Sequence, residues 1–301
     1  MTEPAVVALG GGHGLAATLS AARVYAGSIA AIVSVADDGG SSGRLREAMP
    51  DLPAPGDVRR CLSALADRGS ALARTLEHRF DVADGGLSGH TFGNLLLAAL
   101  TDELGSFSAA VDEVARLVGA VGRVLPATIG PVALEGRRRP PSQPTGPPTL
   151  VVGQVAVQNA GGVSVLSLDP ARAASPAVVT EVILGADQVV IGPGSLFTSV
   201  LAAAIVPDVL AALVATHARR VYVANLAPQV PETQGFDLAD HVEALRAHGV
   251  PVDVVLCDDH ACGLAERESV EAVPVVARPL SDDRGAIHHP ERLAAALATL
   301  V

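Results

Sequence analysis

The chain has 301 residues, of which 49% are hydrophobic, only 2% aromatic and none Trp. That length and apolar share suit one large α/β domain with a core built from Ala, Val, Leu and Ile. A formal net charge of −11 argues against a protein whose main task is gripping nucleic acid, which needs a basic face with interleaved aromatics. Any anionic ligand must be held by local groups.

Residues 6–9 read as a short apolar strand, 10–14 as a glycine loop, and 15–24 as a helix with Leu15, Leu19, Ala22 and Val24 turned inward. Glycines at such a junction let the backbone approach a phosphate, and the following helix N-terminus favours its charge. Gly10, Gly11, Gly12, His13 and Gly14 are therefore candidate binding residues. Leu15 stands where a dinucleotide fingerprint has its third glycine, so simple tight packing is the alternative.

Residues 29–35 form a second strand, apolar on both faces, which implies a parallel sheet covered on both sides. It runs into Ala36-Asp37-Asp38-Gly39-Gly40-Ser41-Ser42-Gly43-Arg44-Leu45-Arg46. A plain turn needs one or two glycines and a polar residue; this one adds two carboxylates, two hydroxyls and two guanidinium groups. Asp37, Asp38, Gly39, Gly40, Ser41, Ser42 and Arg44 are candidate ligand contacts. Asp37 and Asp38 stand where nucleotide folds place a ribose-binding acid, or they hold Mg²⁺ through water. Solvated acids on a capped turn are the bland reading. Arg44 and Arg46 either grip phosphate in a bidentate fashion or neutralise those acids.

Pro55-Gly56-Asp57-Val58-Arg59-Arg60 opens the next helix. Asp57 is either its N-cap or, with Asp37 and Asp38, a catalytic or metal-binding candidate. Val58, Cys61, Leu62 and Leu65 follow amphipathic helical spacing, which makes Cys61 a core residue. A further helix starts near His90 and runs to 100. His90 and Asn94 share one face of it, and an Asn among leucines must satisfy its amide, so both are assigned to a cleft. Residues 107–118 read as another helix.

Residues 124–170 show little helical periodicity and read as an inserted β section with strands at 132–134, 150–157 and 163–168. Between the first two lies a Pro-rich basic stretch, 136–148, expected to be neither helix nor central strand. The alternating pattern then resumes, with strands at 188–191, 221–225 and 252–256 and helices at 196–205, 238–248 and 290–300. Gly192, Gly194, Ser195 and Thr198 sit on a second strand-to-helix turn. Its amides and hydroxyls suit an anion; a tight turn capped by Ser195 is the alternative. Asn225 falls at the same carboxyl edge of the sheet, where ligands of open parallel sheets collect.

The most apolar stretch, 196–215, contains Thr198, Ser199, Pro207 and Asp208 and is expected to form two helices rather than a membrane span. Met1-Thr2-Glu3-Pro4 lacks the basic start of a signal peptide, so a cytoplasmic protein is expected, with Cys61, Cys257 and Cys262 reduced and without metal spacing.

Taken in order, these motifs resemble the YvcK family, the gluconeogenesis-factor branch of the CofD-like proteins. The likeness runs through GGGHGL (10–15), VADDGGSSGRLR (35–46), PGDVRRCLSALAD (55–67), GHTFGNLLLAALT (89–101), VLP (124–126), GPGSLFTSVL (192–201) and ETQGFDLADHVEAL (232–245). The resemblance implies a Rossmann-like three-layer α/β/α fold with a mostly parallel sheet. It implies a cytoplasmic protein that binds a nucleotide-sugar such as UDP-N-acetylglucosamine, or NAD. It also implies a link to cell shape, wall synthesis and growth on gluconeogenic carbon, an unnamed protein partner, and a homo-oligomer. The sister branch, 2-phospho-L-lactate transferase, carries an Asn-Thr-Gly-Asp-Asp run where this chain has Val35-Ala36-Asp37-Asp38-Gly39-Gly40. With so few aromatics to stack a tricyclic deazaflavin, an Mg²⁺-dependent transferase is the alternative expectation and an NAD oxidoreductase a weaker third. His13 stands where many relatives have Thr, and Gln154 where many have Glu.

Overall fold

The computed structural model describes residues 3–67, 69–81, 85–139, 147–260 and 269–301. Its strands, in chain order, are β1 (Ala5–Gly10), β2 (Ser28–Val33), β3 (Arg123–Pro126), β4 (Ala133–Arg138), β5 (Thr149–Val152), β6 (Val163–Asp169), β7 (Gln188–Ile191), β8 (Arg219–Val223), β9 (Val254–Asp258), β10 (Ser269–Val270) and β11 (Val273–Arg278). The helices are α1 (Gly12–Tyr25), α2 (Gly40–Ala48), α3 (Gly56–Leu65), α4 (Ala71–Thr75), α5 (Phe92–Leu104), α6 (Phe107–Leu117), α7 (Gln154–Ala160), α8 (Ala177–Leu184), α9 (Ala202–Ala204), α10 (Pro207–Ala215), α11 (Leu238–Ala247) and α12 (Pro290–Ala298). A π-helical turn, Leu196–Leu201, leads into α9.

The main sheet runs β10-β11-β9-β8-β7-β1-β2-β3, and only β10 is antiparallel. Its central strands are buried on both faces, from Val6 to Gly10 in β1 and throughout β7. Helices cover both sides, as a parallel sheet requires, so the α/β expectation is met. The chain builds outward from β1 first to β2 and β3, and later in the other direction through β7, β8 and β9. The order reverses between β1 and β7, and the crevice outside the carboxyl ends of such strands is where open α/β sheets take ligands.

Leu15, Leu19 and Ala22 of α1 are fully buried, as their spacing predicts. Val24 is not: it is 62% exposed, because it lies two positions past Ala22 and about 200° around the helix from it. Among the described residues no single helix is long and apolar enough to cross a membrane. The apolar stretch is two segments, Leu196–Ala204 and Pro207–Ala215, bent by 75°.

The inserted section differs from expectation in three ways. β3 belongs to the main sheet as its edge next to β2. Gly136, Arg137 and Arg138 fall within β4, the central strand of the small β5-β4-β6 sheet, since no proline interrupts the chain before Pro140. Residues 140–146 of the Pro-rich stretch lie outside the described residues, as does Cys262. Finally, the predicted strand 150–157 stops at Val152. Gly153 adopts φ 102°, and the Asp38 carboxylate accepts from the amides of Gln154 and Val155, both at 2.9 Å. That remote carboxylate satisfies two otherwise orphaned helix amides and starts α7 where local sequence favours a strand.

Candidate functional site

At the carboxyl edge the two glycine turns meet backbone to backbone. α1 begins at Gly12 with Gly11 as its N-cap in extended conformation, so His13 and Gly14 are helical rather than loop residues. A Cβ on Gly14 would overlap the Pro193 carbonyl, and one on Gly11 would overlap the Asp57 carboxylate. These contacts leave no room for a ligand between the turns and divide the edge into two cavities.

The first, about 360 Å³, is lined by Gly12, by Asp37 and Gly39 to Ser42, by Gly56, Asp57, Arg59 and Arg60, by Arg79 and Asn94, by Gln154 and Gln158, and by Ser195, Thr198 and Ser199. The second, about 410 Å³, receives His13, Gly14, Gly194 and Asn225 together with Gln229 and His288. A larger cavity of about 600 Å³ opens at the opposite edge, beside the amino ends of β1 and β2. Of its two arginines, Arg23 and Arg123, Arg23 donates to the carbonyls of Ala64 and Ala66, and no Asp or Glu lines the cavity.

The acids of the polar cavity come from the loop after β2 and from α3, and its Ser41 and Ser42 hydroxyls from α2. The loop after β2 turns at Asp37, whose Oδ1 accepts from Gly39 N at 3.0 Å. It then enters α2, which the sequence reading had left inside a turn because Leu45 is the sole large apolar residue on its buried face. The first amides of a helix have no carbonyl four residues back, so Gly40, Ser41 and Ser42 present theirs at the cavity. α3 brings Asp57 in its first turn, behind an N-cap position held by Pro55; Asp57 is therefore no cap. It accepts from Arg60 Nη1 at 2.7 Å and from the Gly12 amide. Burial, opposed by Arg60 and reinforced by the nearby Asp37 charge, holds its carboxyl above the ordinary range.

Arg59 is almost fully buried, with Nη2 at 3.2 Å from Glu77. Arg79 reaches the Gly89 carbonyl at 2.5 Å. On α5, Asn94 Nδ2 donates to Ser41 Oγ at 3.1 Å, and Ser41 Oγ lies 3.0 Å from His90 Nδ1. His90 and Asn94 thus meet on Ser41, but not through a shared helix face: α5 starts at Phe92 with Thr91 as its N-cap, so His90 precedes the helix. Burial and the charges of Arg44 and Arg79 push the His90 imidazole below its ordinary value.

Three expectations are corrected. Asp38 is exposed and spends both oxygens on α7, so the carboxylate beside Asp37 in the cavity is Asp57, not Asp38. Arg44 does not line the cavity, and Arg46 binds the carbonyls of Asp37 and Val132; the arginines present are Arg59, Arg60 and Arg79. The amides of the second glycine turn are also occupied. Gly192 N donates to Leu9 O, Gly194 N to Asn225 Oδ1, and Phe197 and Thr198 N to Glu232 Oε1 at 3.2 and 2.8 Å. Asn225 Nδ2 returns a bond to Gly194 O at 2.8 Å, so it clamps this turn. The side chains of Ser195 and Thr198 also hydrogen-bond Glu232, while Ser195, Thr198 and Ser199 line the cavity.

Sequence reasoning missed Arg59, Arg60, Arg79 and Glu232. For Arg59 there was a signal: it lies three positions before Leu62, beside the recognised apolar stripe of its helix, so a charge there borders either the core or a site. Glu232 carried none, because its partners are 34 and 35 residues away. Among the described residues no group of three or more His, Cys, Asp or Glu is placed to hold a metal.

The model of the family described as 2-phospho-L-lactate transferase CofD matches residues 6–287. A protein from Halalkalibacterium halodurans named gluconeogenesis factor is 39% identical over 85% of this chain and 78% of its own. A Mycobacterium leprae protein that carries the same name in provisional form is 43% identical over 98% of this chain and 86% of its own. A crystal structure of a UPF0052 family member from Bacillus halodurans superposes with a TM-score of 0.88 at 34% identity, over 99% of both chains. With the glycine turns, the acidic loop and the fold on the page, the chain belongs to the CofD family and groups with its gluconeogenesis factors.

Proposed function

We propose that the 360 Å³ cavity binds the phosphates of a nucleotide-sugar of the UDP-N-acetylglucosamine kind, or of a dinucleotide such as NAD. In this reading the bound state is a cytoplasmic signal for wall synthesis, cell shape and gluconeogenic growth, passed to a protein partner by a homo-oligomer. The observation that carries the reading is the cluster of Arg59, Arg60 and Arg79 facing the free α2 amides across one cavity. In a chain of net charge −11, one buried and two more accessible arginines converging with free amides on one cavity suit a phosphorylated ligand. The volume falls at the low end of roughly 300–1,000 Å³ for ligand sites, so the diphosphate and one adjoining unit fit, and the remainder extends outside. Calorimetry with UDP-N-acetylglucosamine, NAD and GDP tests this. Binding that is lost in Arg59→Gln supports it, and no binding of any nucleotide sinks it.

One observation favours a second reading, an Mg²⁺-dependent phosphoryl transferase. Asp37 and Asp57 face one cavity, and the Asp37 charge adds to the cost of ionising Asp57, a repulsion that a bound cation relieves. Mg²⁺ takes few protein carboxylates and fills its octahedron with phosphate oxygens and water, which suits a two-carboxylate site. Product formation from a guanylated donor, lost in Asp37→Asn, would establish it.

A further inference from the structure

Ser41 occupies the second position of α2, and its hydroxyl is held from two sides. Asn94 Nδ2 donates to Ser41 Oγ, so that oxygen keeps one lone pair and its own proton. His90 Nδ1 lies 3.0 Å away, and in the tautomer that carries its hydrogen on Nε2 this nitrogen accepts the Ser41 proton. The lowered imidazole value keeps this ring neutral and able to accept. Ser41 and Asn94 line the cavity, whereas His90 does not; it stands behind the hydroxyl. A hydroxyl hydrogen-bonded to a buried neutral imidazole, with free amides and arginines around the same space, is the arrangement of an activated nucleophile.

We propose that Ser41 is a nucleophile, with His90 as its base, that attacks the phosphorus of a phosphoric anhydride bound in this cavity. The proposal rests on the cavity taking a phosphorylated ligand and adds a covalent step to that reading. The Ser41 Oγ–P bond forms as the anhydride P–O bond breaks, and the departing group keeps the electron pair. The Ser41 proton passes to His90 Nδ1 and on to the departing oxygen. Water then adds to phosphorus and yields a proton to His90, while Oγ leaves with its electron pair and recovers that proton. The net reaction is hydrolysis of the anhydride, with Ser41 and His90 restored. Substituting an acceptor alcohol for water would make it transfer.

If the Ser41–His90–Asn94 bonds only tie α2 to α5, Ser41 stays unmodified. The test is incubation of the wild-type protein with acetyl phosphate and Mg²⁺, followed by peptide mass spectrometry. Phosphate on the peptide carrying Ser41 is expected, absent in Ser41→Ala and formed about 100-fold more slowly in His90→Gln. No phosphate on Ser41, phosphate on Ser42 instead, or an unchanged rate in His90→Gln overturns the proposal. The wild-type result stands even if the His90 variant fails to fold. Calorimetry with UDP-N-acetylglucosamine, run in parallel, separates the two readings: binding without labelling sinks only the nucleophile, and labelling without binding sinks only the nucleotide-sugar.

Discussion

Replacing Asp38 by Ala should destabilise the protein without emptying the ligand site, whereas replacing Asp37 by Ala should do the reverse. Asp38 accepts two hydrogen bonds at the start of α7, both at 2.9 Å. Losing a helix-capping carboxylate of this kind costs about 1–2 kcal/mol, with exposure favouring the lower end. In a chain of this size that corresponds to a fall in Tm of roughly 1.5–3 °C. Asp37 lines the cavity, and its carboxylate accepts locally from Gly39 N, two residues on, so its removal should cost less than about 0.5 kcal/mol of stability. Urea and thermal denaturation read the first effect, and calorimetry with a nucleotide-sugar reads the second. The reasoning is refuted if Asp38→Ala keeps wild-type stability while losing ligand, for then Asp38 would be the ligand-binding acid that position alone suggests.

Glu232→Gln should weaken the pH dependence of stability. Burial raises the Glu232 carboxyl above its ordinary value, so its contribution is fully present below the unfolded value near pH 4.3 and is lost as pH rises through the folded one. Gln keeps an oxygen for the amides of Phe197 and Thr198 and cannot ionise; the variant should therefore gain on wild type as pH rises above the unfolded carboxylate value in urea melts, and a gap that stays flat with pH would contradict the assignment. Gly11→Ala should cost about 1–3 kcal/mol through overlap with Asp57. Because Gly11 has φ −171°, the backbone itself tolerates Ala, and Gly11→Ala should cost much less in an Asp57→Gly background; a double-mutant cycle showing simple additivity would rule the contact out. Leu19→Ala should cost about 2–5 kcal/mol, whereas Val24→Ala, at a 62% exposed position, should change stability by less than about 0.5 kcal/mol in denaturant titration.

Much of the fold was legible because its signals are local. Strands such as β7 are apolar on both faces, and a run of that kind separated by helical periods has few homes other than a covered parallel sheet. The helices at 56–65, 107–117 and 290–298 announce themselves through apolar spacing. α2 and α7 did not. One has a single large buried apolar residue, and the other is started by a carboxylate more than a hundred residues away. The β section was misjudged at β4 for a related reason: its arginines suggested a loop, yet their residues pair on both sides.

The site divides along the same line. The sequence by itself determined which turns would gather at the carboxyl edge, since strand–turn–helix order alone places them there. It also assigned His90 and Asn94 to one cleft, although His90 lies before α5 and meets Asn94 through Ser41 rather than along a helix face. Only the tertiary structure decided which groups are free to meet a ligand. Asp38 is spent on α7, the second turn's amides on Glu232 and Asn225, and Arg46 on carbonyls, leaving Asp37, Asp57, Ser41 and three other arginines around the cavity. A polar group's chemistry is legible in its residue name, but its availability is set by the partners that folding brings within about 3 Å, and those partners here lie far along the chain.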